Sequence, residues 1–233
     1  MRMIGVVLLL CLPSLACAQQ TEGQYDVRAL GAKVGDLALS GVVKGSRYSV
    51  ASRFETTGLV NALSGVWFQL KSNGRVQGDT FQPRNYIEEM DTGRRQSKER
   101  LTYSGGIARR DGPGSGRNSK HAVTDAEQKG ALDPLSALFV VMRDQPAQGL
   151  CNLTQRIFDG KRLTELAMTR RTEAGPLITC HGIFRRVGGY SPEDLKRKRN
   201  FEFTVTYAPA GELMRLVEVR SDTLFGPATI IRR

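Results

Sequence analysis

The chain has 233 residues, 40% of them hydrophobic, which is enough to bury a real core in one all-β domain or two small ones. Lys and Arg number 34 against 23 Asp and Glu, a formal net charge of +11 that points toward anionic partners. Only 2 histidines are present, and no His/Cys/Asp cluster has metal-ligand spacing, so no metal centre is expected.

The N-terminus reads MRMIGVVLLLCLPSLACAQQ. Arg2 is a short positive leader, and Ile4 to Leu12 is an apolar run too short to span a bilayer. Ala16-Cys17-Ala18 supplies small residues ahead of Gln19, the pattern of a secretory cleavage site. A lipoprotein signal acylated at Cys17 usually wants leucine where Ser14 stands. Residues 1–18 are therefore expected to be a signal peptide cleaved after Ala18, leaving residues 19–233 in the periplasm. No second run of membrane-spanning length follows, so an integral membrane protein is not expected. Export also argues against nucleic acid as the anionic partner, and no aromatic-basic stacking motif is present.

Most of the mature chain then reads as strands. YDVRAL, GDLALSGVV and RYSVASRFET come first, separated by glycine-bearing turns. GLVNALSGVW places Leu59, Leu63 and Trp67 four apart, a helical spacing. Residues 104–130 are dominated by Gly, Ser and charge, and a largely disordered loop is expected there. DPLSALFVVM begins with Asp133 as N-cap and Pro134 at the first helical position, and puts Leu135, Leu138, Phe139 and Met142 on one face. Both helices are expected against the concave or open face of a sheet. In the run RRVGGYSPEDLKRKRN, Ser191 caps one helical turn through Asp194. FEFTVTY alternates strictly, and ELMRLVEV and TLFGPATII follow, with Gly226-Pro227 suited to an edge or a bulge.

IFDGKRLTEL reads as a hairpin whose Asp159-Gly160 forms a two-residue turn. Phe158 then pairs with Lys161 and Leu153 with Leu166, and Lys161 and Arg162 are solvent-facing cations. The same count bears on the cysteines. Cys11 and Cys17 leave with the signal, and Cys151 and Cys180 form a disulfide by default in an oxidising compartment. Yet the count puts Cys151 opposite Met168 and Cys180 near Ala167, about 9–10 Å apart across one central strand, beyond disulfide reach. Either Cys151 precedes the strand and folds over it, or the bond is absent.

Several segments in order, GAKVGDLALSG, RYSVASRFETTGLVNALSG, SNGRVQGDTFQPRNY and DGKRLTEL, resemble the bacterial family called domain of unknown function 3108. The resemblance rests on Gly31 and Gly35, Ser72 and Gly74, Gly78, Pro83, Tyr86, and a helix opening with Asp133, Leu135 and Ser136. It implies an exported, mainly β protein. Its strongly curved antiparallel sheet would form a half-open barrel with one or two short helices on the concave side. That shape is similar to periplasmic lipoprotein carriers such as LolA and LolB. The family brings no catalytic or binding residues with it.

The residues offer little for catalysis. Ser104 and Ser136 lack a Gly-x-Ser-x-Gly elbow, and GPGSGRNSK is not a phosphate-binding loop. No enzyme and no cofactor are expected. One function open to the chain is binding a lipid or other amphiphile, with Trp67, Phe68, Phe139 and Met142 lining the pocket. The other is a structural or interaction module of the cell envelope. There Arg109-Arg110 and the run Lys196, Arg197, Lys198, Arg199 would touch a protein or an anionic membrane surface.

Overall fold

Period-two alternation, plainest in FEFTVTY, extends over most of the chain and yields thirteen strands in one sheet among the described residues. The computed structural model describes residues 19–63, 65–111, 120–224 and 226–233. The expected signal peptide and its cleavage site lie outside the described residues.

Seven strands precede the middle of the chain: β1 (Gln19–Ala29), β2 (Ala32–Lys44), β3 (Arg47–Thr56), β4 (Trp67–Gln77), β5 (Thr80–Asp91), β6 (Gln96–Ser104) and β7 (Ile107–Arg110). Six follow it: β8 (Leu153–Phe158), β9 (Leu163–Ala174), β10 (Leu177–Gly188), β11 (Asn200–Ala210), β12 (Leu213–Thr223) and β13 (Gly226–Arg232). The helices are α1 (Gly58–Leu63), α2 (Asp125–Gln128), α3 (Pro134–Met142) and α4 (Pro192–Arg197).

Each half is an antiparallel meander, and the halves join where the first strand meets the last. β1 pairs with β13, Tyr25 opposite Arg232 and Ala29 opposite Ala228. The sheet order therefore runs from β7 through β1 and β13 to β8. Its two edges are brought together by the chain that links them. Gly130 N–H donates to Gly106 O at 2.9 Å, and Leu132 forms a parallel bridge to Ile157 on β8. The β8–β9 turn also reaches across, since a Cβ on Gly160 would stand 3.0 Å from Leu101 of β6. The expected curved antiparallel sheet is thus found, rolled into a nearly closed barrel with α3 inside.

α3 is buried on almost every side, as expected of a helix that is apolar all round. Its Phe139 packs on Tyr48 and Phe81, with ring centroids 6.5 and 6.0 Å away. Gly41 on β2 makes room for it: a Cβ there would lie 2.3 Å from the Phe139 ring. The helix is pinned at both ends. At its C-terminus Tyr207 donates its hydroxyl to Val141 O at 2.8 Å, and Gln145 pairs with Met214 on β12. Arg215 clasps Asp144 in a two-pronged ion pair at 2.6 and 3.0 Å, which raises the guanidinium pKa.

Several expectations are corrected. The GLVNALSGVW helix stops at Leu63, and Trp67 opens β4 instead of lying on the helix. α1 is a surface connection whose Val60, Asn61 and Ala62 are exposed. Where residues 104–130 are described, they carry regular structure that the expected disordered loop did not include. Ile107 to Arg110 pair with β6, and α2 carries a capping box between Thr124 and Glu127; residues 112–119 lie outside the described residues. Pro227 is at neither an edge nor a bulge. It is the second residue of β13, which is paired on both sides.

The DGKR turn holds four residues, not two. Asp159 Oδ1 accepts from the backbone N–H of Lys161 at 2.9 Å and of Arg162 at 2.6 Å, so Phe158 pairs with Leu163 and Leu153 with Met168. A slip of two preserves faces, so Leu153, Ile157, Leu166 and Met168 still share one. The cysteines are bonded, with Cα atoms 4.9 Å apart. β8 has 6 residues and β9 has 12, so Cys151 precedes β8 and turns at φ 67° over β9. There it meets Cys180, which lies opposite Arg171 and not near Ala167.

Candidate functional site

The interior divides along α3. Leu135, Ser136, Phe139 and Met142 face the packed side. Pro134, Ala137, Leu138 and Val141, at helical spacing on the other side, face a cavity of about 510 Å³. The opposite wall is the inward face of β8–β13. Its best-defined part is Phe201, Phe203 and Val205, the alternating positions of FEFTVTY, flanked by Leu166 and Phe184. Both phenylalanines of β11 and both flanking residues stay half-buried, so the apolar wall is incompletely covered. The volume falls within the range of small-molecule sites, about 300–1,000 Å³.

The cavity mouth is polar and built from three segments that sequence does not connect. The DGKR turn supplies Asp159 and Arg162, the end of β10 supplies Arg186, and the following turn supplies Tyr190. Gly189 makes this possible. A Cβ there would stand 2.3 Å from Lys161 O, so only glycine, here at φ 78°, lets the two turns touch. Tyr190 then lies between two guanidinium groups, with Arg162 at 5.2 Å and Arg186 at 5.0 Å from the ring centroid. The series continues with Arg186 at 5.1 Å from the Phe201 centroid and Lys198 Nζ at 4.9 Å. α4 holds this arrangement. Ser191 and Asp194 form its capping box, and Arg186 Nη1 donates to the carbonyls of Asp194 and Lys198 at 2.8 and 2.9 Å, closing the helix. The bonds from Ser191 lower the Asp194 pKa, whereas burial, with Asp159 nearby, raises that of the Tyr190 phenol.

A second polar group lies across α3, on its packed side. Asp133 caps the helix through Ser136 N–H at 2.8 Å. Its other oxygen accepts from the hydroxyls of Ser136 at 2.6 Å and Ser72 at 2.8 Å. Tyr48 joins through Ser136 at 2.6 Å. Asp133 and Ser136 are fully buried, and burial raises the pKa of both Asp133 and Tyr48. A serine, an acid and a tyrosine in contact invite a catalytic reading, but every member is satisfied by another and faces the core. The cluster fixes the start of α3 against β3 and β4. Ser72, Asp133 and Ser136, three residues that carried the family resemblance, meet here.

The four residues expected to line a pocket do not line this one. Phe139 and Met142 are buried on the packed side of α3. Phe68 packs on Phe54 at 6.0 Å, and Trp67 starts β4 opposite Glu55 and Asp91. The expectation followed aromatic content, and these aromatics fill the N-terminal half. Of the expected basic contact, Lys196, Arg197 and Arg199 are exposed on or beside α4, while Lys198 is half-buried against Phe201. Arg109 is not free for a partner, since both its terminal nitrogens pair with Asp125 at 2.7 Å; Arg110 pairs with Glu99. Sequence reasoning missed Arg162, Arg186 and Tyr190, and set Arg162 aside as a hairpin-end cation. The signal available was two basic pairs beside glycine turns, in DGKR and RRVGGY. Nothing in the sequence says that those turns meet.

Among the described residues no group of three or more His, Cys, Asp or Glu is placed to hold a metal, and no helix is long and apolar enough to cross a membrane. Residues 24–231 match the family described as protein of unknown function (DUF3108). The chain belongs to that family. The DUF3108 chain also resembles a solved structure, a beta-barrel-like protein of domain of unknown function DUF1849 from Brucella abortus. The two share 10% identity at a TM-score of 0.52, over 91% of this chain and 95% of the other, a likeness of fold alone. No curated protein matches the sequence.

Proposed function

We propose that this DUF3108 protein is an exported, non-catalytic binding protein that holds a lipid or other amphiphile inside its barrel. The observation that carries the reading is the cavity of about 510 Å³ between the open face of α3 and the half-buried apolar wall of β8–β13. An apolar chamber with a polar mouth suits a ligand of the same two-part chemistry. The leader-like N-terminus supports an address outside the cytoplasm. The non-catalytic part rests on the enclosure of the Asp133–Ser136–Ser72–Tyr48 cluster, whose hydroxyls are engaged with one another.

The test is organic extraction of protein purified from the periplasm without detergent, read by mass spectrometry. A bound amphiphile in about molar proportion is expected. Its absence, with no uptake of added alkyl ligands, would overturn the reading. Recovery of the chain only from the cytoplasm would overturn the export part.

One observation favours the second reading, contact with an anionic envelope surface. Lys196, Arg197 and Arg199 are exposed near the mouth and make no ion pair among the described residues. Neutralising all three should abolish salt-sensitive binding to anionic vesicles. Unchanged vesicle binding would sink it.

A further inference from the structure

We infer, resting on the amphiphile reading, that the cavity takes a single-chain amphiphile with a carboxylate or phosphate head, bound at the mouth by Arg162 and Arg186. Three cations stand along the rim in a ladder with two rings, in the order Arg162, Tyr190, Arg186, Phe201, Lys198. None of the three makes an ion pair among the described residues. Among the described residues the Arg162 guanidinium makes no hydrogen bond either, and Arg186 uses only Nη1, leaving Nε and Nη2 without an acceptor there.

Asp159, Asp194 and Asp222 stand near the rim and offset this charge in part, but among the described residues none forms an ion pair with the three cations. Asp159 Oδ1 is bound to the N–H groups of its own turn, Asp194 Oδ2 is bound to Ser191, and Asp222 is exposed. Two guanidinium groups on one tyrosine repel each other, and rings offset that only in part, at about 0.5–1 kcal/mol per exposed contact. An anion at the rim within reach of both would offset that repulsion through charge-assisted hydrogen bonds, for which the planar guanidinium fork is shaped.

The apolar part of the ligand follows from what lies behind the ladder. Phe201 belongs to both the ladder and the cavity wall, so a head at Arg186 places its chain beside Phe201 and on toward Phe203, Val205 and Leu138. A cavity of about 510 Å³ has room for one such chain.

The experiment compares dodecanoate, dodecyl phosphate, 1-dodecanol and inorganic phosphate by calorimetry, below any micelle concentration, on the wild type, R162Q and R186Q. Both anionic amphiphiles should bind about tenfold or more tightly than the alcohol, the size of one or two charge-assisted hydrogen bonds. In R162Q that preference should fall severalfold while the alcohol is bound as before. R162Q is the decisive variant, because the Arg162 guanidinium makes no hydrogen bond or ion pair among the described residues and only stacks on Tyr190. R186Q also loses the closure of α4, so its preference is compared with its own affinity for the alcohol. Dodecanoate against dodecyl phosphate separates the two heads.

Equal binding of alcohol and anions in the wild type would overturn the inference and leave the cavity reading standing. So would a preference that survives in R162Q. Inorganic phosphate binding as tightly as dodecyl phosphate would also overturn it, marking a site for free anions. Failure of every amphiphile, the alcohol included, would overturn the cavity reading itself.

Discussion

The two sides of α3 meet unlike neighbours. Toward β2–β6 the helix is met by Tyr48, Phe81 and the Asp133 cluster, with rings in contact and polar atoms paired. Toward β8–β13 it is bonded by Tyr207 and otherwise faces a cavity walled largely by half-buried side chains. The sheet is continuous and the strands are of similar make, so the difference comes from what each half sends inward. The N-terminal half supplies large aromatics that reach the helix. The C-terminal half sends its phenylalanines to a wall that α3 stands away from. Both sides hold the helix, the C-terminal half through Tyr207, Met214 and Arg215 near its end, but only that half leaves room for a guest.

That contrast can be broken by experiment. Phe139→Ala should cost about 3–5 kcal/mol, the usual range for emptying a packed aromatic site. Leu138→Ala, one residue earlier but facing the cavity, should cost about 1 kcal/mol, since much of its surroundings is already empty space. Denaturant unfolding measures both, and equal costs would mean that the two sides do not differ.

Removing the disulfide comes next, at about 3 kcal/mol on the chain-entropy account of the bridged loop. Unfolding with and without reductant measures it. The loss should appear chiefly on the C-terminal side, because Cys151 crosses β9 to reach Cys180, and hydrogen exchange on β8 should rise.

On the packed side, Asp133→Ala should cost about 2 kcal/mol, from a lost helix cap and hydroxyls left without their acceptor. Asp133→Asn keeps an acceptor for Ser136 N–H and should cost less. The pair also tests pH dependence. Burial raises the folded-state pKa of Asp133 above its ordinary value of 3.8. The folded state therefore holds this proton more tightly than the unfolded state. The resulting stability is full below the ordinary pKa and is lost as pH rises through the raised one. Unfolding free energy against pH should fall over that window in the wild type, and the fall should be flatter in Asp133→Asn. Identical profiles would show that Asp133 is not held protonated.

The smallest effect on stability is expected from Leu138→Phe, within about 1 kcal/mol, because it grows into existing space. Its effect on binding should be large, with dodecanol affinity reduced about tenfold or more, since the lost volume is the ligand's. A stable variant with unchanged affinity would move the site away from the open side of α3.

Much of this scaffold is legible in the residues. FEFTVTY announces β11, Asp133-Pro134 announces α3, and Ser191-Pro192 announces α4, because caps and alternation are local. Registers are less legible. Asp-Gly fits both a two-residue and a four-residue loop, and the choice fell to the Asp159 carboxylate, which accepts from two N–H groups downstream. The disulfide turned on the same difficulty, since it needed the unequal lengths of β8 and β9 and the left-handed backbone at Cys151. The pocket residues were the least legible. Aromatic side chains announce burial, but whether they fill a core or wall a cavity depends on where α3 rests.

The sequence by itself determined the strands, the capped helices, the cationic surplus and the leader-like start. Each follows from residues within a few positions of one another, where backbone geometry and side-chain period act directly. Only the tertiary structure decided that β1 meets β13, that α3 leaves a cavity on one of its sides, and that Arg162 and Arg186 meet on Tyr190. Those contacts join segments far apart in the chain, and they form because rolling one sheet around one helix leaves few other ways to bury both.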